Sequence, residues 1–168
     1  MINNDQKQFQ NACKNGNLNK AKTLVTNNSN IDISFGYEMA FREACEYGHL
    51  NVAKWLLNIK PNINTIAWQY YAFDMACLNG HLHVAKWLLE VKPKQTVDDI
   101  YLSANNESAF RNACFNRHLN VAQWFCKLNP FKYCITIAHN GVINNNNEYN
   151  IMLLLFGLNN KGYCIIVV

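Results

Sequence analysis

The 168-residue sequence has no apolar leader and no membrane-length hydrophobic run. Its opening, MINNDQKQFQ, lacks the apolar segment of a secretory signal. The longest strongly apolar stretch, IMLLLF at 151–156, falls far short of the roughly 20 residues a membrane helix needs. These absences lead to the expectation of an intracellular, cytoplasmic setting in which no membrane is a partner. Basic residues form no block. The 15 Lys and Arg against 11 Asp and Glu give a net charge of +4 spread along the chain, which argues for solubility rather than nucleic-acid binding. There is no Gly-rich phosphate loop and no paired-carboxylate pattern, so neither of those routes to catalysis is indicated. Proline is scarce, with only Pro61, Pro93 and Pro130, and these three recur in register.

What the sequence does contain is a repeat. Aligned on a phenylalanine, four segments match: FQNACKNGNLNKAKTLV from Phe9, FREACEYGHLNVAKWLL from Phe41, FDMACLNGHLHVAKWLL from Phe73 and FRNACFNRHLNVAQWFC from Phe110, at spacings of 32, 32 and 37. In each, an Ala three residues on and a Cys four residues on share one helical face with the Phe. Gly16, Gly48 and Gly80 then close the helix, and Arg117 takes that place in the fourth unit. A second apolar set, such as Leu50, Ala53, Leu56 and Leu57, predicts a second helix ending by the register prolines. A helix pair of this size cannot bury its apolar face alone, whereas tandem copies share one interior. The expected fold is therefore an all-α solenoid in a single domain, with the small Ala-Cys pairs as spacers that let first helices approach.

Seven cysteines are present, four of them (Cys13, Cys45, Cys77 and Cys114) at one repeat position. That placement fits packing better than bridging, and free thiols are expected. Asparagine is abundant, at 28 residues, with runs such as NNSN at 27–30 and NNNN at 144–147 that favour turns.

The pattern Phe-x-x-Ala-Cys-x-x-Gly-His-Leu-x-Val-Ala-x-x-Leu-Leu resembles that of ankyrin repeats. The resemblance continues into Lys60-Pro61-Asn62-Ile63-Asn64 and Asn28-Ser29-Asn30-Ile31-Asp32, and covers about residues 5–133. It implies repeats near 5–36, 37–68, 69–105 and 106–133, with a degenerate fifth unit or cap over 134–168. The Asn-rich composition is similar to that of the ankyrin families of giant amoebal viruses and intracellular bacteria. Two departures matter. The Thr-Pro that opens the first helix in the family is missing, leaving Ser108 as a possible cap in the fourth unit, and Arg117 occupies the left-handed glycine position, a cost on the order of 1 kcal/mol.

His49, His81 and His118 share one position, which raises the thought of a metal site. Equivalent positions in stacked helical layers lie roughly 10 Å apart, too far to converge on zinc. No metal or other cofactor is expected, and the resemblance implies that these histidines bond neighbouring loop backbone. Cys45 and His49, at i and i+4, could suggest a catalytic dyad. The same spacing recurs at Cys77/His81 and Cys114/His118, and a triplicate active site is a poorer explanation than packing. Trp55, Trp87 and Trp124 are expected to pack against the next repeat. His83 and His139 have no counterpart in the pattern.

Subtracting the matched positions leaves the variable ones. The resemblance implies that recognition lies on the concave face, at first-helix pairs Lys14–Asn15, Glu46–Tyr47, Leu78–Asn79 and Phe115–Asn116, and at the loop residues Phe35, Tyr37, Trp68, Tyr70 and Tyr101. Solvent-facing Leu78, Trp68 and Phe115 would be unusual without a partner to cover them, unless they fold back onto neighbouring loops. The expectation is a monomeric, non-enzymatic scaffold that binds another protein. The alternative is a structural or decaying repeat protein without a dedicated partner.

Overall fold

The computed structural model describes residues 3–61, 65–91 and 106–128, together with the backbone of 136–137 and 166–167. Among the described residues eight helices follow one another: α1 (Asn4–Lys14), α2 (Leu18–Asn27), α3 (Phe35–Glu46), α4 (Leu50–Ile59), α5 (Thr65–Leu78), α6 (Leu82–Glu90), α7 (Asn106–Phe115) and α8 (Leu119–Leu128). Two residues, Thr136–Ile137 (β1), pair in parallel with Ile166–Val167 (β2). Apart from these two strands, the degenerate fifth unit or cap expected over 134–168 lies outside the described residues.

Local chemistry sets the helix ends. Asn3 and Asn17 accept hydrogen bonds from the backbone N–H of Gln6 (2.8 Å) and Lys20 (3.0 Å), capping α1 and α2. Each first helix ends on a left-handed residue: Gly16, Gly48 and Gly80 at φ 70°, 80° and 77°, and Arg117 at φ 61°. The turns are superimposable in their bonding. Asn17, His49, His81 and His118 each donate their backbone N–H to the alanine carbonyl five residues back, at 2.7–2.8 Å. The left-handed residue itself donates to the cysteine carbonyl three back, at 3.0–3.2 Å, which satisfies two carbonyls that a helix end leaves open. Arg117 therefore does hold the strained conformation expected of it. Ser108 is no cap: it lies inside α7, where its hydroxyl donates to Asp74 Oδ2 at 3.0 Å.

The first helices stack in the order α1, α3, α5, α7, and each second helix packs on its own first helix. Ala12, Ala44, Ala76, Ala113 and all four repeat cysteines are buried, as are Phe9, Phe41, Phe73 and Phe110. Burying a phenylalanine of this kind contributes about 1.5–3 kcal/mol, so a core repeated four times stabilises the array along its length. The tryptophans pack backward, not forward as their spacing suggests: Trp55 lies on Phe9, Trp87 on Phe41 and Trp124 on Phe73, with ring centroids 6.3–6.4 Å apart. The small Ala-Cys pairs bring successive first helices close, and the second helices, set wider, need a large ring to reach back across the gap.

A polar rung runs beside this aromatic one. The residue after each Phe meets the residue two before the next Phe: Gln10 Nε2 to Met39 Sδ (3.4 Å), Arg42 over the Tyr71 ring (5.1 Å) and Asp74 to Ser108. Between the first two units the buried Gln6 amide grips Asp32, donating to its carbonyl (2.9 Å) and accepting from its N–H (2.8 Å). The register between units is thus fixed by side chains of several kinds at equivalent places.

Two expectations about loops are corrected. Phe35 and Tyr37 open α3 rather than lying in a loop, and Gly36, Tyr37 and Glu38 form a left-handed turn there, at φ 66°, 58° and 61°. Trp68 and Tyr70 lie on the backbone of α5, which starts earlier than the pattern implied because no Gly or Pro interrupts residues 65–78.

Candidate partner-binding ridge

The left-handed turn at the end of each first helix projects the two residues before it to one edge of the stack. Those residues are Lys14–Asn15, Glu46–Tyr47, Leu78–Asn79 and Phe115–Asn116. Contacts between units join the first three pairs into a ridge, and Phe115–Asn116 takes the equivalent place in the fourth unit. Lys14 Nζ sits 4.9 Å from the centre of the Tyr47 ring and 3.8 Å from Glu43 Oε1. Tyr47, followed by Glu43 and Glu46, holds the Lys14 ammonium above its ordinary range. Burial pushes the Glu43 carboxyl up, and Lys14 draws it back. One unit further on, the Asn79 amide donates to the Glu46 carbonyl at 3.1 Å.

Exposure divides this ridge. Phe115 is 70% exposed and Tyr47 43%, both large apolar rings open to solvent. Glu46 is half-buried, and so is Leu78, which is less solvent-facing than expected. Asn79 and Asn116 are exposed, but each amide also caps its own helix, donating to the carbonyl of Met75 (3.0 Å) and Asn112 (2.8 Å). Phe35 (half-buried) and Tyr37 (74% exposed) lie at the other end of α3, about 15 Å from Tyr47 at 1.5 Å per residue. They do not join the ridge. The side chains of Trp68 and Tyr70, and Tyr101 altogether, lie outside the described residues. Two groups escaped the sequence pattern: Tyr71, 41% exposed, and the half-buried Arg42 that lies over its ring. The polar rung of the preceding subsection is the only signal that could have found them, and it requires knowing which positions of adjacent units meet.

The cysteine–histidine spacing assembles no nucleophile. Cys13, Cys45, Cys77 and Cys114 are buried, and burial pushes the thiols up, Cys13 and Cys114 to about 12. The thiolate needed for attack is absent at neutral pH. Nor do the histidines converge. They line up one per turn, each imidazole laid over the glycine of the preceding unit: His49 on Gly16, His81 on Gly48, His118 on Gly80. Among the described residues no three His, Cys, Asp or Glu side chains are grouped to hold a metal ion.

The repeated helix–turn–helix units, glycine turns and shared interior coincide with a match of residues 41–89 to the family model described as ankyrin repeats (many copies). Residues 41–89 carry ankyrin repeats. The matched span takes in the second half of α3, all of α4 and α5, and nearly all of α6, and the same position-by-position joints extend beyond it to α1 and α8. A comparison with curated proteins finds no significant match. Ankyrin repeats are in general protein-interaction modules, and the family is typically non-enzymatic. No described helix is long and apolar enough to cross a membrane.

Proposed function

We propose that the chain is a non-enzymatic scaffold, acting as a monomer, that engages another protein along the ridge formed by Lys14, Tyr47, Leu78, Asn79 and Phe115. The observation that carries the proposal is the exposure of the Tyr47 and Phe115 rings at the same edge, where aromatic side chains serve as interface anchors. The ridge is charged at the first units and apolar at the last, which favours a partner segment with a polar end and an apolar end. Four buried free thiols suit a reducing, intracellular compartment.

The test compares partners recovered from cell lysate by the intact chain and by a Tyr47→Ala/Leu78→Ala/Phe115→Ala variant. A Lys22→Ala/Lys54→Ala/Lys86→Ala variant, altered on the exposed side of the second helices, serves as the control. The ridge variant alone should lose the partner. Equal recovery by all three chains removes the ridge from recognition, and failure of every chain to recover a protein favours a purely structural repeat.

A further inference from the structure

The histidine row makes a joint between units that the partner surface does not explain. At the residue after each left-handed turn, the first unit carries Asn17, which caps its own helix. The later units carry His49, His81 and His118, and neither His49 nor His81 makes a side-chain cap. Each ring instead fills the space above the preceding glycine so closely that a Cβ on Gly48 would lie 2.6 Å from His81 Nδ1. His83 adds a second contact across the same joint, with Nε2 3.0 Å from the Gly48 carbonyl, and its ring lies 6.2 Å from that of His81. In the fourth unit Asn120 does the same work, reaching the Gly80 carbonyl at 3.4 Å.

We infer that His81, set among His49, His83 and His118, is an acid-operated latch between consecutive repeats: the neutral ring closes the joint over Gly48, and its protonation opens it. The groups that act on His81 come from every side. His83 lies on its own helix, His49 in the preceding turn and His118 in the following one, and each disfavours a positive charge on His81. The Glu46 carbonyl accepts a hydrogen bond from the ring and works in the opposite sense. Glu46 and Arg117 are the charged side chains that end or follow the first helices on either side. Burial leads the balance and, with the three histidines, holds the His81 imidazole below its ordinary 6.5. A histidine depressed in the folded state contributes stability above its unfolded value, and that contribution is lost as pH falls below 6.5 through the folded value. Asp74 and Glu43, raised by burial, have the opposite sign and gain stability in acid, so they do not produce this loss. The latch concerns the joints between repeats and stands whether or not the ridge is the partner surface.

Two readouts on the full chain test it. Proton NMR of the imidazoles should show His81 titrating below 6.5, and His83→Asn should raise that value by removing the neighbouring imidazole while keeping an amide for the Gly48 carbonyl. Urea midpoints should fall between about pH 7.5 and about pH 5.5, and fall less in His81→Gln. Titration of His81 at or above 6.5, an unchanged His81 value in His83→Asn, or an equal acid loss in His81→Gln overturns the latch.

Discussion

Replacing Gly48 with Ala adds one methyl group, and the structure says where that methyl goes. Its Cβ would lie 2.6 Å, 2.8 Å and 2.9 Å from three atoms of the His81 ring, at a backbone φ of +80°. Gly36 supplies the control. Its φ is +66°, so an alanine there meets the same left-handed cost, but the Cβ would find only Met39, a flexible side chain, at 3.3 Å. The left-handed conformation costs an alanine about 1–2 kcal/mol, offset by about 0.4–1 kcal/mol from the reduced freedom of the unfolded chain. Gly36→Ala should therefore destabilise by roughly 1 kcal/mol or less. Gly48→Ala adds the displacement of a ring held by the Glu46 carbonyl, a further ~1–2 kcal/mol for the hydrogen bond and lost packing, for a total of about 1–3 kcal/mol. Urea unfolding monitored by circular dichroism measures both, as midpoint shifts at unchanged slope. In a double-mutant cycle, His81→Gln should abolish part of the Gly48→Ala penalty, because the two residues touch. Equal penalties at Gly36 and Gly48, or strict additivity with His81→Gln, would refute the seating of the histidine on the glycine.

Other predictions follow from the same joints. Leu56→Ala and Leu88→Ala, both at fully buried second-helix positions, should each cost roughly 2–5 kcal/mol in thermal or chemical unfolding. Gln6→Ala should cost about 0.5–1.5 kcal/mol, because it removes the hydrogen bonds to Asp32, whose carbonyl keeps the Phe35 N–H while its own N–H turns to solvent, and hydrogen exchange at Asp32 should accelerate. Iodoacetamide labelling followed by peptide mapping should leave Cys13, Cys45, Cys77 and Cys114 unmodified in the native chain at neutral pH and modify all four in urea. Phe115→Ala, at an exposed position, should change stability by under about 0.5 kcal/mol, so any loss of partner is not a folding defect.

The interior was legible because its period is short and each position has one task. A Phe with an Ala and a Cys at three and four residues on must share a helical face, and a glycine seven on must end that helix. Arg117 was legible for the same reason: in a strict repeat, a substitution at the left-handed position still inherits the backbone of its equivalents. What periodicity cannot show is which neighbour a side chain reaches. Trp55 could equally extend forward or back from its helix, and the close approach of the first helices decides for the preceding Phe9. The role of His83 was invisible because its partner is a backbone carbonyl 35 residues away. The left-handed turn at 36–38 has no glycine signal at Tyr37 or Glu38, and the side chains around them offer no physical account of it. At the ridge, residue identity suggested solvent exposure at Phe115, which is 70% exposed. It overstated Leu78, whose exposure depends on how closely the next unit packs.

The stacking register is tested most directly by nuclear Overhauser contacts between aromatic rings. Cross-peaks should link Trp55 to Phe9, Trp87 to Phe41 and Trp124 to Phe73, each indole to the phenylalanine of the unit before it. Cross-peaks from these indoles to the phenylalanine of a following unit, or none to any phenylalanine, would contradict the shared interior on which the exposed ridge depends.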